Sequence, residues 1–380
     1  MNLIRISLLA IFASAASGQT KAPAGPPPPP ASIAKLAGQA IAAKDANQLE
    51  KAVTLYKQAL RLAPRWEQGW WDLGTIYYDG DKYPECRDAF RRFAAINPKL
   101  SAGIAFLGLC EFQTRDFGPS LDHLEKAYVL GMPIDSDLTR VTLYHAALLQ
   151  AKTENYERAI QICRLLARLK PNDAGTTAVA GIAGLRRPLF PHELPEADKD
   201  LAVKLGTAML SGGDHPVEDA VKRFDALLNE YPSTPSVHYA YAIILLGNDP
   251  DRAIQELKRE LEISPSHLPA LISIAFEYLK RGEARTAQPY AEKAVQVAPG
   301  NFAARTCLGR VYLERDGADL PGATRELEIA AKLAPDSPQV HFSLANAYAR
   351  AHRKQDAERE RAEFARLKEL SDKNVVQEVR

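Results

Sequence analysis

Prolines recur along the chain at an interval of about 34 residues, and this spacing limits the possible folds more than any other feature. Pro64 and Pro98 are 34 residues apart, and Pro232, Pro265 and Pro299 follow one another at 33 and 34 residues. Proline cannot continue the hydrogen-bond ladder of a helix, so each of these prolines is expected to follow the end of an amphipathic helix. The period predicts a stack of similar helical units, none of which can bury its apolar face alone.

The residues between these prolines repeat one pattern of small and large side chains. In the clearest unit Trp70, Leu73, Gly74 and Tyr77 have the spacing W-x2-L-G-x2-Y. The same spacing returns at Leu271, Ala275, Tyr278 and Ala287, at Leu308, Gly309, Tyr312 and Ala323, and at Leu344, Ala345, Tyr348 and Ala357. The small residue lets the first helix of a unit approach the second closely, and the large residues around it fill the remaining space.

This pattern resembles the tetratricopeptide repeat family over most of residues 33–370, and in particular exported bacterial members of unassigned function. The resemblance implies an all-α fold, namely an α-solenoid of stacked helix-turn-helix repeats that form a right-handed superhelix. Less regular units complete the array, at Leu107, Gly108 and Leu124, at Leu143, Ala147 and Ala159, at Leu205, Gly206 and Phe224, and at Tyr241, Ala242 and Leu257. The third of these has a long turn at residues 211–216.

The repeat register fails between Pro171 and Asp198. A helix of small residues is expected over about residues 174–186, without a regular partner, and a proline-rich loop follows it. We expect this loop to be a packed insertion within one solenoid; the alternative is that the array divides here into two halves. Phe190 and Leu189 either fill a gap between units or present an apolar tip to a partner.

The N-terminus predicts export. Arg5 precedes a short apolar run that ends in the small residues Ala16, Ser17 and Gly18, which is typical of a secretory signal peptide. Cleavage after residue 18 would make Gln19 the mature terminus and the protein periplasmic or secreted. A retained anchor is the weaker interpretation because the run is short for a membrane span. The remaining alternative is an apolar N-terminus of a cytoplasmic protein.

The sequence therefore divides into six segments. Residues 1–18 are the signal peptide, and residues 19–32, which include five consecutive prolines, form a proline-rich, disordered linker. The folded part is predicted to comprise an N-terminal repeat block at 33–186, the inserted loop at 187–198, and a C-terminal block at 199–370 whose last helix starts at Gln355 and caps the array. Residues 371–380 form a C-terminal tail.

The charge of the chain limits the partners that we expect, and its cysteines bear on whether disulfides form. The 48 basic and 47 acidic residues leave a net charge of +1, and the basic clusters are short and scattered, so we expect no nucleic-acid partner. We expect no integral membrane segment after signal cleavage. Cys86, Cys110, Cys163 and Cys307 are widely spaced and fall inside predicted helices, which favours small buried residues over disulfides. An exported compartment would nevertheless permit disulfides.

No pattern in the sequence indicates catalysis. The G-x-S-x-G elbow, the phosphate-binding loop and the H-E-x-x-H helix are all missing, so we predict no enzyme, no catalytic residue, no cofactor and no metal site. His238 and His341 occupy equivalent positions at the start of the first helix in two units. A residue that recurs at one repeat position indicates packing or groove lining rather than metal ligation.

The resemblance implies a binding surface, because in this family the exposed positions of the first helix of each repeat line a concave groove. Counted from the pattern residues, these positions are Trp71, Thr75, Tyr78, Leu109, Phe112, Tyr144, Leu148, Tyr239, Ile243, Ile272, Phe276, Arg310, Phe342 and Asn346. Aromatic rings offer large, rigid contact areas that can hold an extended or helical peptide. The alternative is that packing between repeats buries many of these rings.

These observations predict a non-enzymatic protein–protein interaction scaffold of the cell envelope or the secreted space, which binds a peptide or a partner protein in this groove. The alternative is a carbohydrate-handling or accessory subunit of an envelope polysaccharide or secretion system, with sugar rings stacked on aromatic side chains. Trp71 beside Asp72 is the pair that comes closest to such a sugar site.

The predicted cleavage can be tested directly. When the full chain is produced in a secretion-competent bacterial host, we expect mass spectrometry to find a product that starts at Gln19, because Gly18 and Ala16 supply the small residues that signal peptidase requires. Replacing Gly18 with a bulky residue (Gly18→Trp) should block this cleavage. Retention of residues 1–18 by the unsubstituted chain would contradict the prediction.

Overall fold

The computed structural model describes residues 29–211 and 216–379, and the regular structure of these residues is helical, with no strand. The signal peptide, the start of the linker and most of the turn expected at 211–216 lie outside the described residues. The chain divides into two compact units, one up to Thr176 and the other from Thr177. Each is treated separately below, and the six-segment division stays a prediction.

The helices of the N-terminal unit are α1 (Ala34–Asp45), α2 (Leu49–Leu62), α3 (Glu67–Asp79), α4 (Tyr83–Ile96), α5 (Ser101–Gln113), α6 (Phe117–Val129), α7 (Asp137–Lys152) and α8 (Tyr156–Leu169). Helix α9 (Ala174–Gly184) contains the boundary between the units. The C-terminal unit continues with α10 (Glu196–Met209), α11 (Pro216–Glu230), α12 (Val237–Leu245), α13 (Pro250–Ile263), α14 (Leu268–Lys280), α15 (Ala284–Val297), α16 (Phe302–Glu314), α17 (Leu320–Leu333), α18 (Pro338–Arg350) and α19 (Lys354–Val379).

These helices pack as consecutive hairpins, which confirms the predicted all-α repeat fold. The pairs α1–α2, α3–α4, α5–α6 and α7–α8 form hairpins in the N-terminal unit, and α12–α13, α14–α15, α16–α17 and α18–α19 do so in the C-terminal unit. We call the first helix of each hairpin its A helix and the second its B helix. Within each unit the B helices α2, α4, α6, α13, α15 and α17 also pack on the A helix that follows. Several A helices contact the next A helix, as α5 contacts α7 and α14 contacts α16.

Small residues bring the two helices of a hairpin together, as the sequence predicts. A Cβ atom added to Gly74 in α3 would lie 2.7 Å from the ring of Phe90 in α4. A Cβ atom on Gly309 in α16 would lie 2.6 Å from Leu327 in α17. Phe90 and Leu327 are themselves fully buried. The helix backbones are therefore as close as a glycine allows.

The A helices end in a shared turn that the sequence pattern did not predict. In six hairpins the second residue after the A helix has a positive φ angle, namely Asn47, Asp81, Arg115, Glu154, Gly282 and His352, and in the α16–α17 hairpin the third residue, Gly317, does so. Five residues after each of the six, the B helix places a small buried residue, respectively Ala52, Cys86, Ser120, Ala159, Ala287 and Ala357. A left-handed residue is the common way to end a helix and reverse the chain, and glycine is its usual occupant. Only one of these six residues is glycine, so the turn gives little signal in a single sequence.

A disulfide joins two consecutive hairpins, which corrects the expectation that all four cysteines are reduced. Cys86 in α4 is bonded to Cys110 in α5, with 6.0 Å between their Cα atoms. Cys163 and Cys307 are free and buried, as predicted, and burial raises the pKa of each thiol to about 12. These two thiols are therefore poor nucleophiles.

The expectation that the helix at about 174–186 has no regular partner is wrong, because its second half packs against α10. A Cβ atom on Gly206 in α10 would collide with the carbonyl oxygen of Thr177, and one on Gly181 would collide with the carbonyl oxygen of Ala202. The glycine of α10 thus faces the preceding helix, whereas Gly74 and Gly309 face the following one.

Two apolar residues of the proline-rich loop, Phe190 and Leu194, are buried. The ring of Phe190 stacks on His192 at 5.8 Å between ring centroids, and the backbone N–H of Phe190 donates to the carboxylate of Glu193 at 2.7 Å. Leu189 is half-buried. The burial of Phe190 argues against an apolar tip that reaches out to a partner.

The last helix is longer than predicted. Helix α19 starts at Lys354 and runs to Val379, past the expected end at Leu370. Residues 371–379 contain neither glycine nor proline, so nothing in the sequence stops the helix at 370.

Two glycine-to-alanine variants in the N-terminal unit test the close approach of the helices. Gly74→Ala should lower the free energy of unfolding by about 1 kcal/mol, because overpacking against Phe90 exceeds the gain in helix propensity. Gly38→Ala should raise it by up to about 1 kcal/mol, because Gly38 lies in α1 with no atom within 4 Å of the added Cβ. Urea titrations followed by circular dichroism measure both. Changes of the same sign in the two variants would contradict this account of the packing.

Candidate functional site

The positions predicted to line a groove lie on the A helices, but they differ in exposure. In the N-terminal unit Trp71, Thr75, Tyr78, Phe112 and Tyr144 are half-buried. Leu109 is 1% exposed and Leu148 is 7% exposed, so these two side chains belong to the interior. The binding role of the set stays a prediction.

Several of the aromatic rings bridge neighbouring A helices. Trp71 and Tyr78 of α3 both meet Phe106 of α5, at 5.7 and 5.3 Å between ring centroids. Phe112 of α5 meets His145 of α7 at 4.6 Å. These rings therefore hold consecutive hairpins together through edge-to-face contacts, and they offer only part of their surface to a partner.

The corresponding surface of the C-terminal unit is more open. Phe342 is 51% exposed and Ile243 is 36% exposed, whereas Tyr239 is 9% exposed and counts as buried. The remaining predicted positions of this unit, Ile272, Phe276, Arg310 and Asn346, are half-buried.

Two of the predicted residues are brought together by the packing of α14 on α16. The guanidinium of Arg310 lies over the ring of Phe276, 5.5 Å from its centroid, and also pairs with Glu314 at 2.9 Å. Phe342 packs against Phe364 of α19 at 5.4 Å between ring centroids. The surface thus combines apolar rings with one cation whose position is set by its neighbours.

Asp72, considered above for a sugar site beside Trp71, is an internal anchor. Its carboxylate is buried and accepts hydrogen bonds from the Lys44 ammonium at 2.7 Å and the Tyr56 hydroxyl at 2.9 Å. Burial, and then the negative charge of Asp72, raise the pKa of Tyr56 well above its usual range. Trp71 packs on Phe90, Phe93 and Phe106. This pair therefore offers neither a free carboxylate nor a free ring face for a sugar.

His238 and His341 have a structural role, as their recurrence at one repeat position predicts. Each is the sixth residue after the proline that closes the preceding unit. The Nδ1 atom of His238 lies 2.6 Å from Glu256 and its Nε2 atom lies 3.1 Å from the carbonyl oxygen of Pro232. The Nδ1 atom of His341 lies 2.7 Å from Glu360 in the same arrangement.

Other residue types fill the same position in other repeats. Arg305 donates to the carbonyl of Pro299 at 2.8 Å and to Glu326 at 2.6 Å, and Trp70 donates to the carbonyl of Pro64 at 2.8 Å. The shared element is a side chain of the A helix that donates to the carbonyl of the closing proline, and we call it the proline latch. The sequence does contain a signal for the proline latch, because a tryptophan, histidine or arginine recurs six residues after a closing proline.

The proline latch makes His238 sensitive to pH. Both ring nitrogens face oxygen acceptors, so the ring can donate to both only when it is protonated. Burial opposes the charged form, but the hydrogen bonds to Glu256 and Pro232 and the charges of Glu256 and Glu260 outweigh it, so the pKa of His238 is raised.

Two segments of the chain, residues 38–101 and 204–267, match the family model of the tetratricopeptide repeat. Both segments therefore carry tetratricopeptide repeats. The first segment contains α2 to α4 in full, and the second contains α11 to α13 in full. The match to the family model and the hairpin packing therefore agree in one segment of each unit.

Individual similar proteins share little sequence with the chain. Anaphase-promoting complex subunit 3 of Schizosaccharomyces pombe is 22% identical over 135 residues, which are 36% of this chain and 20% of that protein. The chain thus spans about a fifth of the length of this relative. Among solved structures, MamA (41-end) from Desulfovibrio magneticus RS-1 is 23% identical, covers 42% of this chain and 87% of its own, and has a TM-score of 0.35. A tetratricopeptide repeat protein from Parabacteroides merdae ATCC 43184 is 14% identical, with 74% and 98% covered and a TM-score of 0.35.

The described residues form neither a helix that could cross a membrane nor a cluster that could hold a metal ion. None of the helices placed by the structure combines the length and the apolar character that crossing a membrane requires. Within the same part of the chain, no three side chains among histidine, cysteine, aspartate and glutamate converge in a way that could hold a metal ion.

Substitution of His238 tests the proline latch. Because the pKa of His238 is raised in the folded state, its contribution should be fully present below the ordinary histidine pKa of about 6.5 and should be lost as pH rises through the folded value. His238→Arg, which copies the residue of the Arg305 repeat, keeps its charge across this range. Urea unfolding at a series of pH values should show a pH-dependent difference of about 1 kcal/mol between the two proteins.

The sign of this difference is part of the prediction. The free energy of unfolding of the unsubstituted chain should fall relative to that of His238→Arg as pH rises from 6 to 9. This window begins near the pKa of free histidine, about 6.5, and extends upward because the pKa of His238 is raised. Parallel pH profiles for the two proteins would show that protonation of His238 does not stabilise the hairpin.

Proposed function

We propose that this chain is a non-enzymatic scaffold that binds a peptide or a partner protein on the A-helix surface of its C-terminal unit. Members of the tetratricopeptide repeat family generally mediate protein–protein interactions. The observation that carries the proposal is a set of accessible apolar side chains on three A helices of this unit, formed by Ile243 on α12, Ile272 and Phe276 on α14, and Phe342 on α18.

The chemistry of this set favours a peptide with apolar anchors. Phe342 has half of its surface exposed, and Phe276 is half-buried beneath the guanidinium of Arg310. Rigid rings lose little conformational entropy on binding, and anchors of this kind dominate the affinity of most peptide grooves. Arg310 adds one cation, which would favour a partner with an acidic group near its apolar anchors.

The proposal includes an exported location, periplasmic or secreted. Two observations support it. The first is the signal-peptide pattern of residues 1–18, and the second is the disulfide between Cys86 and Cys110, since disulfides persist in oxidising compartments and are rare in the cytosol.

The proposal that the chain is not an enzyme is supported by the surroundings of two histidines and of the two free cysteines. The rings of His238 and His341 are buried in the proline latch with both nitrogens engaged, and the free thiols of Cys163 and Cys307 are buried with raised pKa values. Groups with these surroundings hold the fold together and are poorly placed for catalysis.

Selection from a displayed peptide library tests the proposed surface. We expect the mature chain to enrich peptides with spaced apolar residues, and Phe342→Ala to weaken their binding about tenfold, the loss typical of one buried anchor. The double variant Phe276→Ala with Phe342→Ala should weaken it further. Fluorescence titrations with the enriched peptides give these dissociation constants.

Leu333→Ala is the matched control for this experiment. Leu333 is 45% exposed at the end of a B helix, α17, in the same unit, so its substitution removes a comparable apolar side chain from another surface. The proposal fails if no peptide is enriched, or if Phe342→Ala and Leu333→Ala affect binding equally while both remain folded by circular dichroism.

A further inference from the structure

A cavity of about 450 Å³ lies among α2, α3 and α4 of the N-terminal unit, away from every predicted groove position. The B helices α2 and α4 contribute its two sides, and α3 contributes Trp70, Leu73 and Tyr77. Cavities of this volume accommodate a small molecule or one or two side chains of a partner.

The cavity has an aromatic wall. Trp70 is half-buried, and its indole N–H already donates to the carbonyl of Pro64, so the ring face is what it presents to a ligand. Leu60 of α2 and Leu73 of α3 are buried beside it. An apolar or aromatic group placed here would gain contact area on three sides.

Tyr77 brings an unsatisfied hydroxyl to this wall. The side chain is 4% exposed, and its hydroxyl is buried without a hydrogen-bond partner. A buried hydroxyl without a partner is unusual in native proteins, and a missing ligand is one of its explanations.

The equivalent tyrosine of another repeat shows what Tyr77 lacks. Tyr348 lies at the same repeat position, and its hydroxyl donates to Glu328, which stands 20 residues earlier in the preceding B helix, at 2.8 Å. The residue 20 positions before Tyr77 is Lys57, which has no acceptor atom and lies over the ring at 5.6 Å. The hydroxyl of Tyr77 is therefore available to donate a hydrogen bond to an acceptor from outside the chain.

The rim of the cavity carries an excess of positive charge. Lys57, Arg61 and Arg92 line it, are exposed, and form no ion pair with an acid among the described residues. Glu85 and Asp88 also line the rim, but Asp88 is engaged by Arg87 at 3.4 Å and by Arg91 at 3.6 Å. Three unpaired cations around an apolar cavity favour an anionic ligand.

We propose that this cavity binds an acidic peptide segment of a partner protein, with one apolar or aromatic side chain seated against Trp70. A carbonyl or carboxylate oxygen of the segment accepts the hydrogen bond from the Tyr77 hydroxyl, and its carboxylates face Lys57, Arg61 and Arg92. A neutral sugar could also stack on Trp70, but it would leave the three cations without counter-charges, so the observations favour the acidic peptide. This surface is independent of the A-helix surface of the C-terminal unit.

A set of synthetic peptides tests the proposal on the mature, full-length chain. The probes are pentapeptides with one central tryptophan or phenylalanine flanked by four glutamates, by four glutamines or by four lysines, together with a neutral oligosaccharide. Isothermal titration calorimetry should show that the glutamate peptides bind at least tenfold more tightly than the glutamine peptides, and that added salt weakens this binding.

Two kinds of variant connect this binding to the cavity. Arg61→Glu with Arg92→Glu should weaken the glutamate peptides at least tenfold, whereas Lys99→Glu with Lys126→Glu changes the net charge equally in the same unit, outside the cavity, and should change binding by less than threefold. Tyr77→Phe should weaken binding severalfold while leaving the urea midpoint unchanged or higher, because the hydroxyl has no partner to lose in the free chain.

The proposal is overturned if the glutamate and glutamine peptides bind equally, if no peptide binds, or if only the oligosaccharide binds. It is also overturned if the two charge-reversed double variants behave alike, since the attraction would then be a property of the whole unit. Loss of peptide binding to Phe342→Ala leaves this proposal untouched, so the two surfaces are tested separately.

Discussion

The close approach of two helix backbones within each hairpin is the constraint on which the rest of the structure depends. Gly74 and Gly309 leave no room for a Cβ atom against Phe90 and Leu327, so the A helix and the B helix share a narrow seam. A seam this narrow buries only one face of each helix, and the opposite faces stay apolar. The B helix must therefore pack on the next A helix, and the chain grows by adding hairpins. The accessible A-helix side chains are a consequence of this growth.

The proline latch adds a second, polar constraint to the apolar seam. A helix that ends at a proline leaves carbonyl oxygens without intrahelical donors. The A helix of the next hairpin supplies a donor from His238, Arg305, His341 or Trp70, and in three of these four cases a second bond reaches a glutamate on the B helix of the same hairpin. In these three hairpins one side chain thus holds the A helix both to the closing proline that precedes it and to the B helix that follows it. Because different residue types perform this task, the geometry is common to the repeats while its response to pH is not.

The sequence was sufficient for the features that depend on one position in one repeat. The small residues Gly74 and Gly309, the helix-closing prolines and the packing role of His238 could all be predicted, since each follows from spacing and elementary sterics. The burial of Leu109 and Leu148 could not, because a count from the repeat pattern treats each A helix as if it had no neighbour. The left-handed turn residues Arg115 and Glu154 were also missed, since neither residue type favours a positive φ angle and the surrounding hairpin imposes it.

Two further differences arise from contacts that a single sequence does not display. The partner of α9 was missed because Gly206 fits the repeat pattern of its own helix, although it serves the contact with Thr177 in the helix before it. The disulfide was missed because Cys86 and Cys110 are 24 residues apart and share no motif, and only the packing of α4 on α5 brings them together. In each case the local pattern was satisfied and the tertiary neighbour decided the outcome.

The positions at which one repeat departs from its neighbours are where binding chemistry can appear without cost to the fold. Tyr348 and Tyr77 occupy the same place in two hairpins, and both are buried by the same packing of an A helix on the preceding B helix. Glu328 completes the hydrogen bonding of Tyr348, whereas Lys57 leaves that of Tyr77 incomplete and turns the local charge from negative to positive. The apolar seam provides most of the stability of the hairpin. The residue that faces the tyrosine hydroxyl, Glu328 or Lys57, can therefore differ between repeats without loss of the fold. A repeat that lacks an internal partner at such a position is therefore the place to look for an external one.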